Sequence, residues 1–456
     1  MGKRALVSLV IALLVLAIAP TTASASMSTT TGTLPDGATY KIEVPGNWNG
    51  TVLLYSHGYV VPGRPNPAQD AAIDDPLTHA YLLGAGYALA GSSYATSGWA
   101  LEQAVPDQIA NLDIFDAAHT PTRTIAWGHS LGGIITGALL QTHPNRFDAA
   151  LPMCGVLAGG IGVWNVGLDA EFVIKELLPS TSSLQLVNVT YPALTNLGTA
   201  ETILGHAQVT PQGRARIALA AAVGDLPGWF DPATPEPAAT DYATQEANQF
   251  AWISQVDGPF LFWLRGEMEA RAGGNPSWNT GVNYAKQLAN SIDNAEVQAL
   301  YQAAGLNLSD DLAALAAAPR VSADDGAVSY LKDHIVFNGD LAGKPVLTIH
   351  TTGDGLVLNS DEQAYRSVAQ DAKDSQLLRQ AFVHRAGHCT FTPAETVAAV
   401  QALVTRLDTG KWTGLADPAN LDAAAAALGP SLNIAPPSYI SFEPAQFLRP
   451  FDSGTH

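Results

Sequence analysis

The chain has 456 residues, of which 47% are hydrophobic and 14% are charged, and its formal net charge is −19. The hydrophobic fraction is large enough for one large core or two smaller ones, which argues against a disordered chain. The acidic excess disfavours nucleic acid and anionic surfaces as partners and favours solubility outside the cell.

The first 25 residues have the pattern of a secretory signal peptide. Lys3 and Arg4 form a basic start, Ala5 to Ala19 form an apolar stretch, and residues 23–25 (Ala-Ser-Ala) have the small-x-small pattern of a cleavage site. The apolar stretch is shorter than the roughly 20 residues that span a bilayer, so a membrane anchor is the less favoured alternative. The sequence therefore predicts a secreted protein with no stable membrane insertion after cleavage.

Strand and helix patterns alternate through the first part of the chain. Residues 31–59 are rich in β-type segments, residues 76–85 and 101–118 have helical spacing, and residues 87–91 form a buried β-type run. This alternation predicts an α/β fold with a doubly wound, mostly parallel sheet and helices on both faces.

A glycine-flanked serine joins a β-type run to a helix-period run within residues 124–142. In Gly128-His129-Ser130-Leu131-Gly132 the two glycines leave room for a sharp strand-to-helix turn, called the elbow below, that exposes the serine Oγ. Ser130 is therefore the candidate nucleophile. Because a serine hydroxyl is a poor nucleophile, it needs a general base and a group that orients that base.

The alternation stops after a strand-like run at residues 147–153. Residues 155–343 carry helix-like segments and loops rich in Pro, Gly and Asn, with few strand signals. A stretch of this length is better explained as an inserted, mainly helical cap domain than as a loop. The prediction is a core at 26–154, a cap at 155–343, a second core segment at 344–412 and a tail at 413–456.

An aspartate and a histidine follow the next two predicted strands. Asp354 comes after the run at 344–351 and His388 after the run at 377–384, which gives the chain order Ser, Asp, His. Loops that follow parallel strands meet at one edge of the sheet, so the three residues form a possible triad. Asp354 and His388 could also be ordinary loop residues. The substitutes that stay open are Asp169 or Asp340 as the acid and His384 or His350 as the base.

These motifs resemble those of the α/β-hydrolase superfamily. The segment from Gly128 to Gly132 is similar to the Gly-x-Ser-x-Gly of its lipases and esterases, and the loops at Asp354 and His388 look like those that carry its acid and base. The resemblance implies a secreted serine esterase with a helical cap. In it, Ser130 attacks an acyl carbonyl, His388 transfers the proton, and Asp354 orients the imidazole.

The same resemblance implies the remaining parts of the site. It places the oxyanion hole at the backbone N–H groups of Leu131 and Tyr59, and it implies no cofactor. His57 is interpreted as a structural hydrogen-bonding residue, and Tyr94 and Trp99 are candidates for the rim of the acyl pocket. A metal site is not predicted, because no His-Glu-x-x-His motif occurs and two cysteines are too few for a thiolate zinc site.

The two cysteines are predicted to form a disulfide. Cys154 ends the strand after the elbow helix and Cys389 follows His388, so both would lie at the carboxyl edge of the sheet. Tannase-like feruloyl esterases are similar in having a cysteine after the catalytic histidine, but its partner there precedes the serine, where this chain has His129. Two buried free thiols are the alternative.

The leading functional hypothesis is hydrolysis of carboxylic esters in small-molecule or oligomeric substrates that the cap selects. A serine exopeptidase of the same fold is one alternative, in which Glu267 and Glu269, expected on a solvated helix, are available to hold a peptide amine. A catalytically inactive binding module is another, although all three triad residue types are present. Lactonase or other acyl chemistry also stays open.

Overall fold

The core of the protein is a single nine-stranded sheet in a computed structural model that describes residues 26–64, 66, 75–178 and 183–451. The predicted signal peptide at 1–25 lies outside the described residues. The strand order across the sheet is β1-β2-β4-β3-β5-β6-β7-β8-β9. The strands are β1 (Ser28–Thr33), β2 (Thr39–Val44), β3 (Thr51–Ser56), β4 (Ala88–Ser92), β5 (Arg123–His129), β6 (Ala149–Met153), β7 (Val346–Gly353), β8 (Leu378–Ala386) and β9 (Tyr439–Ile440).

The central strands are parallel and the outer strands are antiparallel. Strands β4, β3, β5, β6, β7 and β8 pair in parallel, whereas β1 pairs antiparallel with β2, β2 with β4, and β9 with β8. Every residue of β3, β4 and β6 is buried, because helices cover both faces of the sheet. The predicted α/β-hydrolase fold with a mostly parallel sheet is confirmed.

Helices of the core pack on both faces of the sheet, where they contact the side chains that alternate between the two faces along each strand. The helices are α1 (Pro76–Gly84), α2 (Leu101–Ala118), α3 (Leu131–Thr142), α13 (Ser360–Asp371), α14 (Pro393–Thr409) and α15 (Pro418–Ala427), with a 3₁₀ turn at Pro144–Arg146. On β3, Val52 and Leu54 share a hydrophobic cluster with α2 and α3. Leu53 and Tyr55, on the opposite face, share one with α1 and α14.

All regular structure described between β6 and β7 is helical, and residues 155–343 of this region are called the cap below. Its helices are α4 (Gly159–Leu177), α5 (Thr195–Gln208), α6 (Pro211–Val223), α7 (Tyr242–Trp252), α8 (Arg265–Ala272), α9 (Tyr284–Asn290), α10 (Asn294–Ala304), α11 (Leu308–Ala317) and α12 (Asp325–Asp333). Two π-helical segments, Ile253–Asp257 and Phe260–Leu264, connect α7 to α8. The cap has a hydrophobic core of its own, which confirms the predicted helical insertion.

The segment after residue 412 contacts both the sheet core and the cap. Helix α15 packs on α14, and β9 adds an edge strand to the sheet. Phe447 is buried in the core of the cap, and Arg449 Nη1 lies 2.7 Å from both carboxylate oxygens of Asp169 on α4. The predicted tail therefore joins the sheet to the cap.

None of the helices in the described ranges is long and apolar enough to cross a bilayer.

The cap also buries carboxyl groups, of which Glu296 on α10 is an example. Glu296 is 1% exposed, and its Oε2 accepts a hydrogen bond from Gln249 Nε2 at 3.0 Å. Burial raises the pKa of Glu296 to about 8, and the charge of Asp293 adds to the increase. At neutral pH the folded protein therefore keeps a proton on Glu296 that the unfolded chain has lost.

We expect Glu296→Gln to stabilise the protein at pH 8 relative to pH 5. The folded pKa lies above the unfolded value of 4.5, so wild-type stability at this group is present below pH 4.5 and is lost as pH rises toward 8. Urea unfolding measures the free energy of unfolding of the variant minus that of wild type. This difference should be larger at pH 8 than at pH 5 by about 1–3 kcal/mol.

The exposed Glu201→Gln on α5 is the matched control, for which the two differences should be equal. A Glu296→Gln variant with the same pH dependence as wild type would contradict the assignment of a buried, protonated carboxyl.

Candidate active site

Ser130 lies at the turn between β5 and α3, in a backbone conformation that few residues other than glycine adopt. Its φ is 57° and its ψ is −125°. The flanking glycines are required by space, because a Cβ at Gly128 or at Gly132 would collide with the backbone carbonyl oxygen of Ser56 on β3. The predicted sharp turn therefore forms, and it holds Ser130 at the carboxyl edge of the sheet.

Asp354 and His388 lie in the loops after β7 and β8, and they are hydrogen-bonded to each other. The distance from His388 Nδ1 to Asp354 Oδ2 is 2.8 Å. Asp354 is fully buried, and its Oδ1 accepts hydrogen bonds from the N–H groups of Leu356 and Val357, both at 3.1 Å. Burial alone would raise the pKa of Asp354, but the positive charge of His388 and hydrogen bonds with His388 and His350 outweigh it and lower the pKa. Asp354 is therefore the ionised partner of the pair.

The predicted disulfide between Cys154 and Cys389 is confirmed, with a Cα–Cα distance of 5.6 Å. It fixes the His388 loop to the end of β6. The elbow is attached to the same strand end, because the Ser130 N–H donates to the Met153 carbonyl at 3.0 Å. In the described part of the chain, the side chains of Cys154, His388 and Cys389 lie close enough together to hold a metal ion. The disulfide, however, removes both thiolates as ligands.

Ser130 and His388 are both attached to the end of β6, yet no hydrogen bond joins their side chains among the described residues. The described partners of the His388 ring are Asp354 and Cys389, whose Sγ lies 3.3 Å from His388 Nε2. Catalytic hydrogen bonds are commonly long without substrate and shorten in the complex. The structure thus brings Asp354 and His388 into contact and leaves the step from His388 to Ser130 to be tested.

Leu131 and Tyr59 line the same cavity as Ser130. Leu131 is the first residue of α3, so its N–H has no acceptor within the helix and lies at the positive end of the helix dipole. Tyr59 belongs to the loop after β3, and a Cβ added at its neighbour Gly58 would lie 3.3 Å from the Ser130 Cβ. Both predicted oxyanion donors therefore belong to segments that adjoin the serine.

Glu267 on α8 fixes one wall of this site from the cap. Its Oε2 accepts hydrogen bonds from the Tyr59 hydroxyl at 3.3 Å and from the Trp99 N–H at 3.0 Å. Its Oε1 pairs with Arg271 at 2.7 Å. The sequence did not reveal this role, because the contact joins segments 168 residues or more apart.

The two predicted rim residues have different positions. Trp99 is buried and forms part of the cavity wall, where it packs edge-on against Trp164. Tyr94 does not line the cavity, which corrects the prediction. It is 2% exposed, its hydroxyl donates to the His57 carbonyl at 3.1 Å, and its ring stacks on the His57 ring. Tyr94 and His57 together support the loop that carries Tyr59.

The two substitute acids have other contacts. Asp169 lies inside the cap, where it accepts hydrogen bonds from Arg449 at 2.7 Å and from the Tyr284 hydroxyl at 3.0 Å. Asp340 is exposed in a turn and accepts from the Ala342 N–H at 2.8 Å. Neither contacts His388.

The two substitute histidines differ sharply from each other. His384 is half-buried on β8, and its Nε2 lies 3.7 Å from Glu236. His350 is fully buried on β7, with Nε2 3.5 Å from Asp354 Oδ2 and Nδ1 3.2 Å from Glu362 Oε1. Burial alone would lower the pKa of His350, but hydrogen bonds with Asp354 and Glu362 and their charges outweigh it and raise the pKa to about 10. His350 therefore places a cation beside Asp354.

Sequence reasoning had no signal for the His350 contact. Two residues four apart on an extended strand are separated by about 13 Å. The chain turns back directly after β7, and only that turn brings the two side chains within reach.

The cavity at Ser130 is partly open to solvent and has a volume of about 100 Å³. Its walls come mainly from apolar side chains of the cap and from the segment after β7. These residues include Val156, Val163, Trp164, Ile174, Leu226, Ile253, Phe260, Leu261 and Leu358. The described wall of this cavity is therefore mainly apolar, with few polar groups.

Comparison with known proteins identifies the family. A model of the prolyl oligopeptidase family matches residues 84–158, which include the elbow. An o-phthalyl amidase from Xanthobacter agilis is 30% identical over 433 residues, which cover 87% of this chain and 90% of the amidase. The chain belongs to the same α/β-hydrolase family as this amidase. The predicted superfamily is therefore confirmed.

Solved structures similar to this hydrolase include two esterases. An esterase from Aspergillus oryzae has 14% sequence identity and a TM-score of 0.41, over 84% of this chain and 80% of that one. The rice cell wall degrading esterase LipA from Xanthomonas oryzae has 15% identity and a TM-score of 0.37, over 84% of this chain and 89% of that one.

We expect the Cys154→Ala/Cys389→Ala double variant of the hydrolase to be less stable and less active. The disulfide closes a separation of 235 residues, and its loss should lower the free energy of unfolding by about 2–4 kcal/mol. Turnover should also fall, because the His388 loop loses its attachment to β6. Urea unfolding and steady-state kinetics measure the two effects.

A thiol count on unfolded, unreduced wild-type protein is the control and should give zero. Two free thiols would refute the disulfide, and a double variant with unchanged turnover would show that the His388 loop is held by other contacts.

Proposed function

We propose that this protein is a secreted hydrolase that cleaves carboxylic esters through an acyl-enzyme on Ser130. The observation that supports the proposal most directly is the meeting of three features at one edge of the sheet. They are the strained elbow serine, the Asp354–His388 hydrogen bond, whose loop is attached to β6 by the disulfide, and an apolar cavity that Ser130 lines. The predicted division into core and cap, with bounds at 155 and 343, is part of the proposal.

In the proposed reaction, Ser130 Oγ attacks the ester carbonyl carbon and its proton passes to His388 Nε2. The N–H groups of Leu131 and Tyr59 donate hydrogen bonds to the oxyanion that forms. His388 then gives its proton to the leaving alcohol, and the acyl group stays on Ser130. Water, deprotonated by His388, attacks the acyl-enzyme and releases the acid.

Asp354 contributes by fixing the imidazole and stabilising its charged form. Its hydrogen bond to His388 Nδ1 keeps the other ring nitrogen, Nε2, available to accept the serine proton. The network assigns this tautomer, because an ionised carboxylate can only accept from Nδ1–H.

Amide hydrolysis is the second candidate, and the relative named as an o-phthalyl amidase favours it. The acylation chemistry is the same, but an amide releases an amine that His388 must protonate as the C–N bond breaks. A matched pair of ester and amide substrates with the same acyl group therefore separates the two candidates.

The exopeptidase alternative loses its candidate carboxylates. Glu267 and Glu269 were expected on a solvated helix, but they are 8% and 4% exposed. Glu267 is paired with Arg271, and Glu269 accepts hydrogen bonds from the N–H groups of Asn188 and Val189 at 2.9 and 2.8 Å. These partners leave neither carboxylate available for a peptide amine.

Export from the cell is supported by the sequence of residues 1–25 and by the disulfide. Disulfides persist in oxidising compartments and are rare in the cytosol. We propose an extracellular location on these two grounds.

We expect Ser130→Ala to lower kcat/KM for 4-nitrophenyl benzoate by at least about 10⁴-fold, because the acyl-enzyme can no longer form. The measurement is steady-state hydrolysis of this ester and of the matching 4-nitroanilide by the mature protein. Ser309→Ala, at an exposed serine of the cap, is the control and should retain wild-type rates.

Ester turnover that survives in Ser130→Ala would sink the nucleophile assignment. Anilide turnover without ester turnover in wild type would promote the amidase candidate. Absence of turnover on either substrate class would favour an inactive binding module.

A further inference from the structure

The cavity beside Ser130 contains one carboxyl group, that of Asp257. Among the described residues that line it, none is a lysine, an arginine or a histidine. Asp257 is 7% exposed, and its Oδ2 is buried without a hydrogen-bond partner in the described structure. A buried polar atom without a hydrogen-bond partner typically lowers the free energy of unfolding by about 1–3 kcal/mol. The position of Asp257 at the cavity therefore suggests a functional role.

Asp257 reaches the cavity because the helix that carries it is not a regular α-helix. It ends the π-helical segment Ile253–Asp257, and the second such segment, Phe260–Leu264, follows at once. Ile253, Asp257, Phe260 and Leu261 line the cavity together as one face of this stretch. π-Helical turns are rare and occur frequently at functional sites.

The surroundings of Asp257 favour its neutral form. Burial raises the pKa of Asp257 well above its usual range, and the negative charge of nearby Asp354 raises it further. With no cation among the cavity-lining side chains, nothing on the wall offsets either effect. Both effects favour the carboxylic acid form of Asp257, which carries one O–H donor.

We propose that Asp257 is a specificity-determining residue, and that its protonated carboxyl donates a hydrogen bond to an uncharged acceptor oxygen on the substrate's acyl group. This inference rests on the proposed function, since it takes the cavity as the acyl site of an enzyme that acts through Ser130. The apolar walls and the adjoining Trp99–Trp164 pair fit an aromatic acyl group. The substrate class is thus an aromatic acyl group that carries a carbonyl or ether oxygen.

Charged acyl groups fit the cavity less well for two separate reasons. A carboxylate would lose its hydration without gaining a cation from the described lining residues. An ammonium would need Asp257 to ionise beside the buried negative charge of Asp354. The uncharged acceptor avoids both costs and satisfies the donor of Asp257.

The test compares 4-nitrophenyl esters of acetylbenzoic and isopropylbenzoic acids in their ortho, meta and para forms. Acetyl and isopropyl groups have similar size, but only acetyl carries an acceptor oxygen. For at least one isomer, the acetyl to isopropyl ratio of kcat/KM should fall by about 10-fold or more from wild type to Asp257→Leu, the loss expected for one hydrogen bond. Comparing ratios between variants removes the difference in intrinsic ester reactivity.

Two further variants separate hydrogen bonding from packing. Asp257→Asn keeps an N–H donor of the same shape and should keep the ratio within about 3-fold of wild type, because a donor is still present. Glu296→Leu, the same loss of a buried carboxyl at a cap position that does not line the cavity, should leave the ratio unchanged.

A second measurement on wild type alone keeps the proposal testable if Asp257→Leu fails to fold. The acetyl ester should be preferred over the carboxy and aminomethyl benzoate esters of the same substitution pattern. An equal ratio in wild type and Asp257→Leu, or a preference for either charged ester, would overturn the proposal. Failure of the proposed function is distinct, because the unsubstituted benzoate would then show no turnover that depends on Ser130.

Discussion

The site depends on keeping a fully buried carboxylate ionised at Asp354. A buried charge is costly unless it is paired and hydrogen-bonded. Asp354 receives two backbone N–H groups on Oδ1 and the His388 imidazole on Oδ2, and the His350 ring lies 3.5 Å away. His350 in turn contacts Glu362. The loop after β7 therefore has to fold into one arrangement, and His388 is oriented as a consequence.

Buried acids in this protein differ in charge state according to their partners. Asp354 is next to the imidazoles of His388 and His350, whose hydrogen bonds and charge lower its pKa. Asp257 and Glu296 are buried near other carboxylates, which raises theirs. Carboxyl groups thus supply an anion that orients His388 in the core, and in the cap they are held in surroundings that favour the neutral form.

The core and the cap contribute different parts of the site. The core supplies the elbow at Ser130, the disulfide and the acid–base pair, all within a few residues of strand ends. The cap supplies most of the apolar wall and two carboxyl groups. Glu267 holds Tyr59 and Trp99 in place through its hydrogen bonds, and Asp257 adds a donor inside the cavity. In the proposed function, the core therefore cleaves the bond and the cap selects the substrate.

The sequence by itself determined the parts that depend on local pattern. Strand and helix periodicity, the Gly-x-Ser-x-Gly turn and the chain order Ser130, Asp354, His388 are all local, and so is the place of each cysteine after a strand. Only the tertiary structure decided burial and charge state. It moved Tyr94 beneath the site, buried Glu267 and Glu269, placed His350 beside Asp354 and brought Asp257 to the cavity. These features arise from contacts between segments distant in the chain or from a turn that breaks a regular repeat. A local hydrophobic pattern carries no information about either.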